Sequence, residues 1–186
     1  PKPLKVRIAY AVRRIEMQVQ RMNNTLAKFN QKDKAIFKQI VDAYSRRDIK
    51  RANALANELA EMRKTMRTLM YSKLALEQIV LRLKTVSDLG SIVTTLAPTI
   101  GVLQGLQSKI SGIIPKAEEE IGEIRDALED LVMEAGNLSG STANFETASE
   151  EAQKILNEAM LVAEHGVKMR LPELPEDVSV EEGNSS

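Results

Sequence analysis

From Leu4 to Leu89 the chain contains neither glycine nor proline. Nothing in that run punctuates the backbone, so long helices are expected there. Ile8, Val12, Ile15, Val19, Met22, Leu26, Phe29, Ile36, Ile40 and Ala43 recur in alternating steps of three and four. Ala52, Leu55, Leu59, Met62, Met66, Leu69, Leu76, Val80 and Leu83 do the same, which is the seam of a coiled coil. Continued past Ala43, the first seam lands on Arg47, Lys50, Ala54, Asn57 and Glu61, so the phase slips before Ala52. Ser45-Arg46-Arg47-Asp48 fills the gap, with Asp48 suited to cap a second helix. Two helices of roughly 38 residues, each ~57 Å long, joined by a short link predict an antiparallel hairpin. Asp33 and Lys73 interrupt the seams. Pairing Ala43 with Ala52 sets Asp33 opposite Met62 and Lys73 opposite Met22, so each is expected to tilt out to water or meet a third helix.

The fold class read from this is all-α: a long antiparallel helical hairpin (1–86) followed by shorter acidic helices. Residues 87–114 change character, with Gly90, Gly101, Gly105 and Gly112 around Pro98. Leu96, Ile100, Leu103 and Ile110 keep helical spacing, which predicts a broken, amphipathic connector able to rearrange. Gly101 and Gly105 are placed for close packing, a weak signal outside a membrane. An acidic helix is expected over 115–135, with Pro115 in its first turn and Ile121, Ile124, Leu128, Leu131 and Ala135 as its stripe. Residues 136–146 read as a flexible linker. A C-terminal helix is expected over 147–169, with Ala152, Ile155, Ala159 and Val162 inward, then a peptide over 170–178 and a disordered tail over 179–186.

The formal net charge of zero conceals a division. Residues 1–110 hold 21 Lys/Arg against 8 Asp/Glu, and residues 111–186 hold 5 against 18. Two such parts attract one another, and the basic part suits an anionic partner. Lys2, Lys5, Arg7, Arg13, Arg14 and Arg21 line the start of the hairpin. Further cations follow at Lys28, Lys32, Lys34 and Lys38, at the tip (Arg46, Arg47, Lys50, Arg51), and at Arg63, Lys64 and Arg67. Coiled-coil faces solvated for their own sake normally alternate sign, and this one has few acids. A lipid surface attracts such residues by about 1 kcal/mol per cation. Nucleic acid attracts them by counterion release, but five aromatics in this half (Tyr10, Phe29, Phe37, Tyr44, Tyr71) are few for base stacking. The membrane is therefore favoured as the partner.

Catalysis has little material here, and the reading is that the chain is not an enzyme and uses no cofactor or metal. There is no cysteine, hence no disulfide and no thiolate site, and the composition fits a reducing cytosol. His165, the one histidine, is read as a surface residue near a helix C-terminus. No Gly-rich phosphate loop, zinc spacing or Glu-x-x-His pair occurs. Leu89 to Ser108 is uncharged over 20 residues, but its threonines, glutamines, glycines and proline make it too polar for a convincing bilayer span. No signal peptide is expected, and the sequence starts at Pro1 without a methionine.

Leu171-Pro-Glu-Leu-Pro175 forbids a helix and favours an extended peptide with little entropy to lose on binding. It reads equally as a helix stop before a tail. The order of features, from basic hairpin through Gly-interrupted connector and acidic helices to this peptide, resembles an ESCRT-III subunit. The stretch Ile40-Val-Asp-Ala-Tyr-Ser-Arg-Arg-Asp-Ile-Lys-Arg-Ala-Asn-Ala-Leu-Ala-Asn-Glu-Leu59 resembles that family's hairpin tip, and Met62-Arg-Lys64 fits as well. The resemblance covers about residues 5–178 and is nearest to the archaeal CdvB group of cell-division proteins.

That resemblance implies a subunit that polymerises, with itself or with paralogues, into filaments on the cytoplasmic face of the cell membrane. It implies membrane constriction and scission at a division ring, and vesicle budding. It implies that Leu171, Pro172, Leu174 and Pro175 form an MIT-interacting motif for the MIT domain of an AAA ATPase (CdvC in archaea), with Val178 just beyond. Lys2, Lys5, Arg7, Arg13, Arg14 and Arg21 are then the membrane-binding face. Glu118, Glu119, Glu120, Glu123, Asp126, Glu129 and Asp130 form an autoinhibitory helix that folds back over the hairpin until lipid or a neighbouring subunit displaces it. Neither a winged-helix extension nor an N-terminal apolar anchor is expected. Two other readings stand beside this one: a dimeric membrane-curving bundle of the BAR type, and a nucleic-acid-associated coiled coil.

Overall fold

The computed structural model describes residues 2–173. Among these the elements are α1 (Leu4–Ser45), α2 (Ile49–Leu83), α3 (Leu89–Ile110), α4 (Pro115–Ser139) and α5 (Phe145–Arg170), with no strand. The all-α class is therefore as expected.

The hairpin turns where the phase slips. Arg47 takes a left-handed conformation at φ 61°. Its amide donates to the Tyr44 carbonyl at 3.0 Å and the Asp48 amide to the Ala43 carbonyl at 2.9 Å, closing α1 in a Schellman pattern. The Asp48 carboxylate accepts from the Arg51 amide at 3.2 Å and starts α2.

Only the base of the hairpin is wrapped. α3 packs on α2 and α4, α4 reaches α1, and α5 lies along α2 and α3. Ile15, Met22, Leu69, Leu76 and Ile79 are fully buried there with Leu96, Leu103, Leu106 and Ile110. Each such side chain contributes about 1.5–3 kcal/mol. The far half is held by two helices alone, through Ile40, Ala43, Ala52, Ala56 and Leu59. Three of those five are alanines, so this half is held more weakly and is expected to open first.

Asp33 marks the boundary between the two cores, and here the sequence expectation fails. Asp33 does not tilt to water; it is 1% exposed. Arg63 donates to it twice, from Nε to Oδ2 at 2.8 Å and from Nη2 to Oδ1 at 3.2 Å. The coiled-coil register places Asp33 opposite Met62, and the neighbouring Arg63 is long enough to reach across to it. Lys73 is also largely covered, 4.0 Å from Glu77 on its own helix.

The connector differs as well. Instead of a broken segment, α3 is one helix of 22 residues with Pro98 inside it. Asp88 and Ser91 form a capping box at its start, which holds the Asp88 carboxyl below its ordinary pKa through the Ser91 backbone and hydroxyl bonds. Burial against three helices stabilises a segment that its glycines and proline would weaken in water. Gly101 and Gly105 are indeed a close-packing face. A Cβ at either would lie 3.1 Å from Ala152 Cβ and Leu156 Cδ1 of α5, respectively.

Two boundaries shift. α4 continues through Gly136 to Ser139 and ends at Gly140, which is left-handed at φ 70°, so the irregular stretch shortens to 140–144. In α5 the inward positions after Ala159 are Ala163 and Val167, and Val162 is 56% exposed. Steps of four suit a straight helix crossing its neighbours, whereas the three-four seam that placed Val162 inward belongs to a supercoil.

Replacing Asp33 with alanine leaves a buried guanidinium uncompensated and is expected to destabilise the fold by about 3–5 kcal/mol in denaturant unfolding. The double change Asp33→Leu with Arg63→Met is expected to recover most of that loss; a single variant as stable as the native chain would contradict the pairing.

Candidate functional site

The basic start of α1 is divided by the fold. Arg7, Arg14 and Arg21, each two helical turns from the next, form one row facing α4. Arg7 pairs with Glu134, Arg14 Nη2 lies 2.7 Å from Glu123 Oε2, and Arg21 Nη1 lies 3.3 Å from Glu120 Oε2. Gln18, 2% exposed, also donates to Glu120. Residue numbers rise along α1 as they fall along α4, so the two helices run antiparallel with a ladder of opposite charges between them.

Lys2, Lys5 and Arg13 are exposed and have no acidic partner among the described residues. Lys2 and Arg14 lie about the Tyr10 ring, at 6.0 and 5.9 Å from its centroid. Tyr10 is 58% exposed and Met17 62%, so an apolar strip runs beside these cations on the outward face of α1. The tip adds Arg47, Lys50 and Arg51, all exposed, and Arg46, which pairs with Asp42 at 3.4 Å.

The acidic residues divide in the same way. Glu120 and Glu123 face α1, and Asp130 lines a groove with Lys2, Arg7 and Arg14. Asp126 and Glu129 instead pair with Arg125 of their own helix, at 3.5 and 3.9 Å. Glu118 offers its backbone carbonyl to Gln107 at 3.3 Å, and Glu119 is exposed. Two partners were missed by sequence reasoning, Glu134 and Gln18. Glu134 lies beyond the dense acidic run, and only the antiparallel register with Arg7 singles it out. Gln18 is flanked by apolar seam positions and carries no charge to draw notice.

Along the other helix of the hairpin, α5 follows α2 in the opposite direction, with Arg82 Nη1 3.5 Å from Glu151 Oε2. Leu171 is extended (φ −111°, ψ 137°) and its amide donates to the Val167 carbonyl at 3.2 Å. It is partly buried against the main core, beside Arg63 and Arg67, while Pro172 and Glu173 are exposed. Leu174, Pro175 and Val178 lie outside the described residues.

No group of three or more His, Cys, Asp or Glu side chains is placed to hold a metal among the described residues. α3 is long and apolar enough to cross a membrane by length and composition, and here it packs against three helices.

Over 173 residues, 93% of this chain, the sequence is 39% identical to cell division protein B1 of Sulfolobus acidocaldarius, covering 81% of that protein. The chain belongs to the cell division protein B family. A second member, cell division protein B of the same organism, is 29% identical over 175 residues, 92% of this chain and 67% of that one. No family model matches the chain. No solved structure matches it. Membership of this family, the CdvB group, agrees with the resemblance to archaeal ESCRT-III-like subunits drawn from the sequence.

Within this family member the three ion pairs of the α1–α4 seam are partly exposed, with side-chain exposures between 24% and 55%, and they flank an apolar strip where Ile124 and Leu131 border Ala11. Pairs of that kind contribute about 0–1 kcal/mol each and weaken with salt. Glu123→Arg is expected to set two cations against each other and speed hydrogen exchange along α4. Combining it with Arg14→Glu is expected to restore protection. Equal exchange in all three proteins would show that the pair contributes nothing to closure.

Proposed function

We propose that this protein is an ESCRT-III-like subunit that assembles into filaments on the cytoplasmic face of the membrane and acts in archaeal cell division. Its relatives carry that process in their names, and the chain's own features supply a physical route to it. The observation that carries the reading is the division of the basic surface. Arg7, Arg14 and Arg21 are neutralised by α4, while Lys2, Lys5 and Arg13, with Arg47, Lys50 and Arg51 at the tip, stay open.

An anionic bilayer first meets the open cations, with Tyr10 and Met17 beside them to enter the headgroup layer. It then competes with Glu120, Glu123 and Glu134 for the arginine row. Losing those pairs releases α4 together with α3, since these two helices pack mainly on each other. Release uncovers the apolar face of α2 around Ala75 and Ile79, which a neighbouring subunit covers in turn. Repeated head-to-tail, such a contact builds an open polymer rather than a closed dimer. The peptide from Leu171 serves the MIT domain of an AAA ATPase, which disassembles the filament.

The test is co-sedimentation and electron microscopy of the full chain with vesicles of matched size, one set neutral and one rich in anionic lipid. The expected result is filaments or coated vesicles on the anionic set alone, with binding falling as salt rises. Small soluble particles that ignore both sets would overturn the reading, and a dimer of fixed size on the vesicles would favour a BAR-type bundle.

A further inference from the structure

Away from the α1–α4 seam, a cavity of about 250 Å³ opens where α2, the end of α3 and α5 meet. Lys64, Arg67 and Tyr71 of α2, Lys109 of α3 and Glu164 of α5 line it, over a floor that includes Ala163. Three cations from two helices thus converge on one space with a single carboxylate among them.

Arg67 is half-buried and has neither ion pair nor hydrogen bond among the described residues. Each of the other seam-side arginines of α2 has one: Arg63 holds Asp33, and Arg82 holds Glu151. Lys109 is held in place by the Tyr71 ring, with its Nζ 4.8 Å from the centroid. Tyr71 is 5% exposed, and its hydroxyl has no hydrogen bond among the described residues. Burial raises the Tyr71 pKa above its ordinary value, so the phenol stays protonated as a donor. Lys64 pairs outward with Glu61 at 2.9 Å and stands at the rim.

We propose that this cavity binds a phosphate monoester, with Arg67 as the fork on two of its oxygens and Lys109 as the second charge. A guanidinium offers paired N–H groups that match phosphate oxygens, and an ammonium adds a point charge. A dianion offsets the unbalanced cations better than the single Glu164 carboxylate does. Glu164 lies in the same cavity and repels an anionic ligand, so it weakens binding. The ligand would join α2 to α3 beneath α5, at a place distinct from the α1 face described above. Its phosphate belongs either to a soluble metabolite or to a lipid headgroup.

The experiment uses the full chain and two phosphate sources. Inorganic phosphate and glycerol 3-phosphate are titrated by calorimetry against chloride of equal ionic strength. Vesicles carrying phosphatidic acid are compared with vesicles of equal charge carrying phosphatidylserine. Native chain, Arg67→Gln, Lys109→Gln, Glu164→Gln and a surface control, Arg13→Gln, are run in parallel. Their helicity and melting without ligand establish that they fold, and if Arg67→Gln does not, the exposed Lys109 still provides the test. The expected result is affinity about tenfold weaker in Arg67→Gln and Lys109→Gln, tighter in Glu164→Gln, and unchanged in the control. That pattern with the soluble probes assigns a metabolite, and the same pattern with phosphatidic acid alone assigns a headgroup. Phosphate binding that is equal in all variants, or no better than chloride and phosphatidylserine in both arms, overturns the proposal.

Discussion

Everything in this molecule depends on a hairpin longer than the body that can cover it. α1 is 42 residues and α2 is 35, whereas α3, α4 and α5 are 22, 25 and 26. Three short helices wrap only the base, where the seams are rich in leucine, isoleucine and methionine. The tip is left with an alanine-rich contact between two helices. Asp33 and Arg63 sit at the change-over. A buried ion pair of this kind adds little net stability compared with an apolar pair. It does penalise any slip of α1 along α2, because a slip would strand both charges. The hairpin therefore serves as a fixed rod whose register is specified once, near its middle.

What the short helices add is divided between two kinds of contact. α4 turns Ile121, Ile124, Leu128 and Leu131 inward, all buried, and the main partner of that stripe is α3. Toward α1 it presents glutamates beside an apolar strip where Ile124 and Leu131 border Ala11. The apolar contact makes α3 and α4 a unit, and the charged contact is the part of its attachment that salt and competing anions weaken. α5 closes against α3 through Gly101 and Gly105, where backbone meets side chain with no Cβ between. The unit is thus held by apolar packing of α3 on α2 and α5 as well as by the charged seam with α1, and the seam is the part that an anion can compete for.

The sequence made the hairpin legible because the three-four period runs unbroken for so long, and the turn because the phase slips beside a good cap. It made the basic and acidic partition legible because charge is counted without knowing the fold. The failures share a cause. Asp33 was judged by the residue directly opposite, and Arg63 reaches in from the next position. α3 was judged by glycine and proline propensities that burial on several sides overrides. Val162 was judged by a three-four seam in a helix whose buried face steps by four from Ile155 to Val167. Glu134 was passed over because it lies beyond the dense acidic run, and only its place at the end of the antiparallel ladder, opposite Arg7, gives it a role. In each case tertiary geometry decided among options that the local pattern left equal.

In the proposed mechanism α4 masks α1 until an anionic bilayer displaces it. The chain has no cysteine, so two can be introduced as unique label sites. Spin labels at Glu16→Cys on α1 and Asp126→Cys on α4 occupy exposed positions and leave all three ladder pairs intact. The measurement is the distance between them by pulsed electron resonance, free and bound to anionic vesicles. The account predicts one short distance in solution, and a population displaced by 10 Å or more on the vesicles, on the order of a helix diameter. Protein that binds the vesicles with the short distance unchanged would mean that the membrane leaves the seam closed, and the masking mechanism would be wrong.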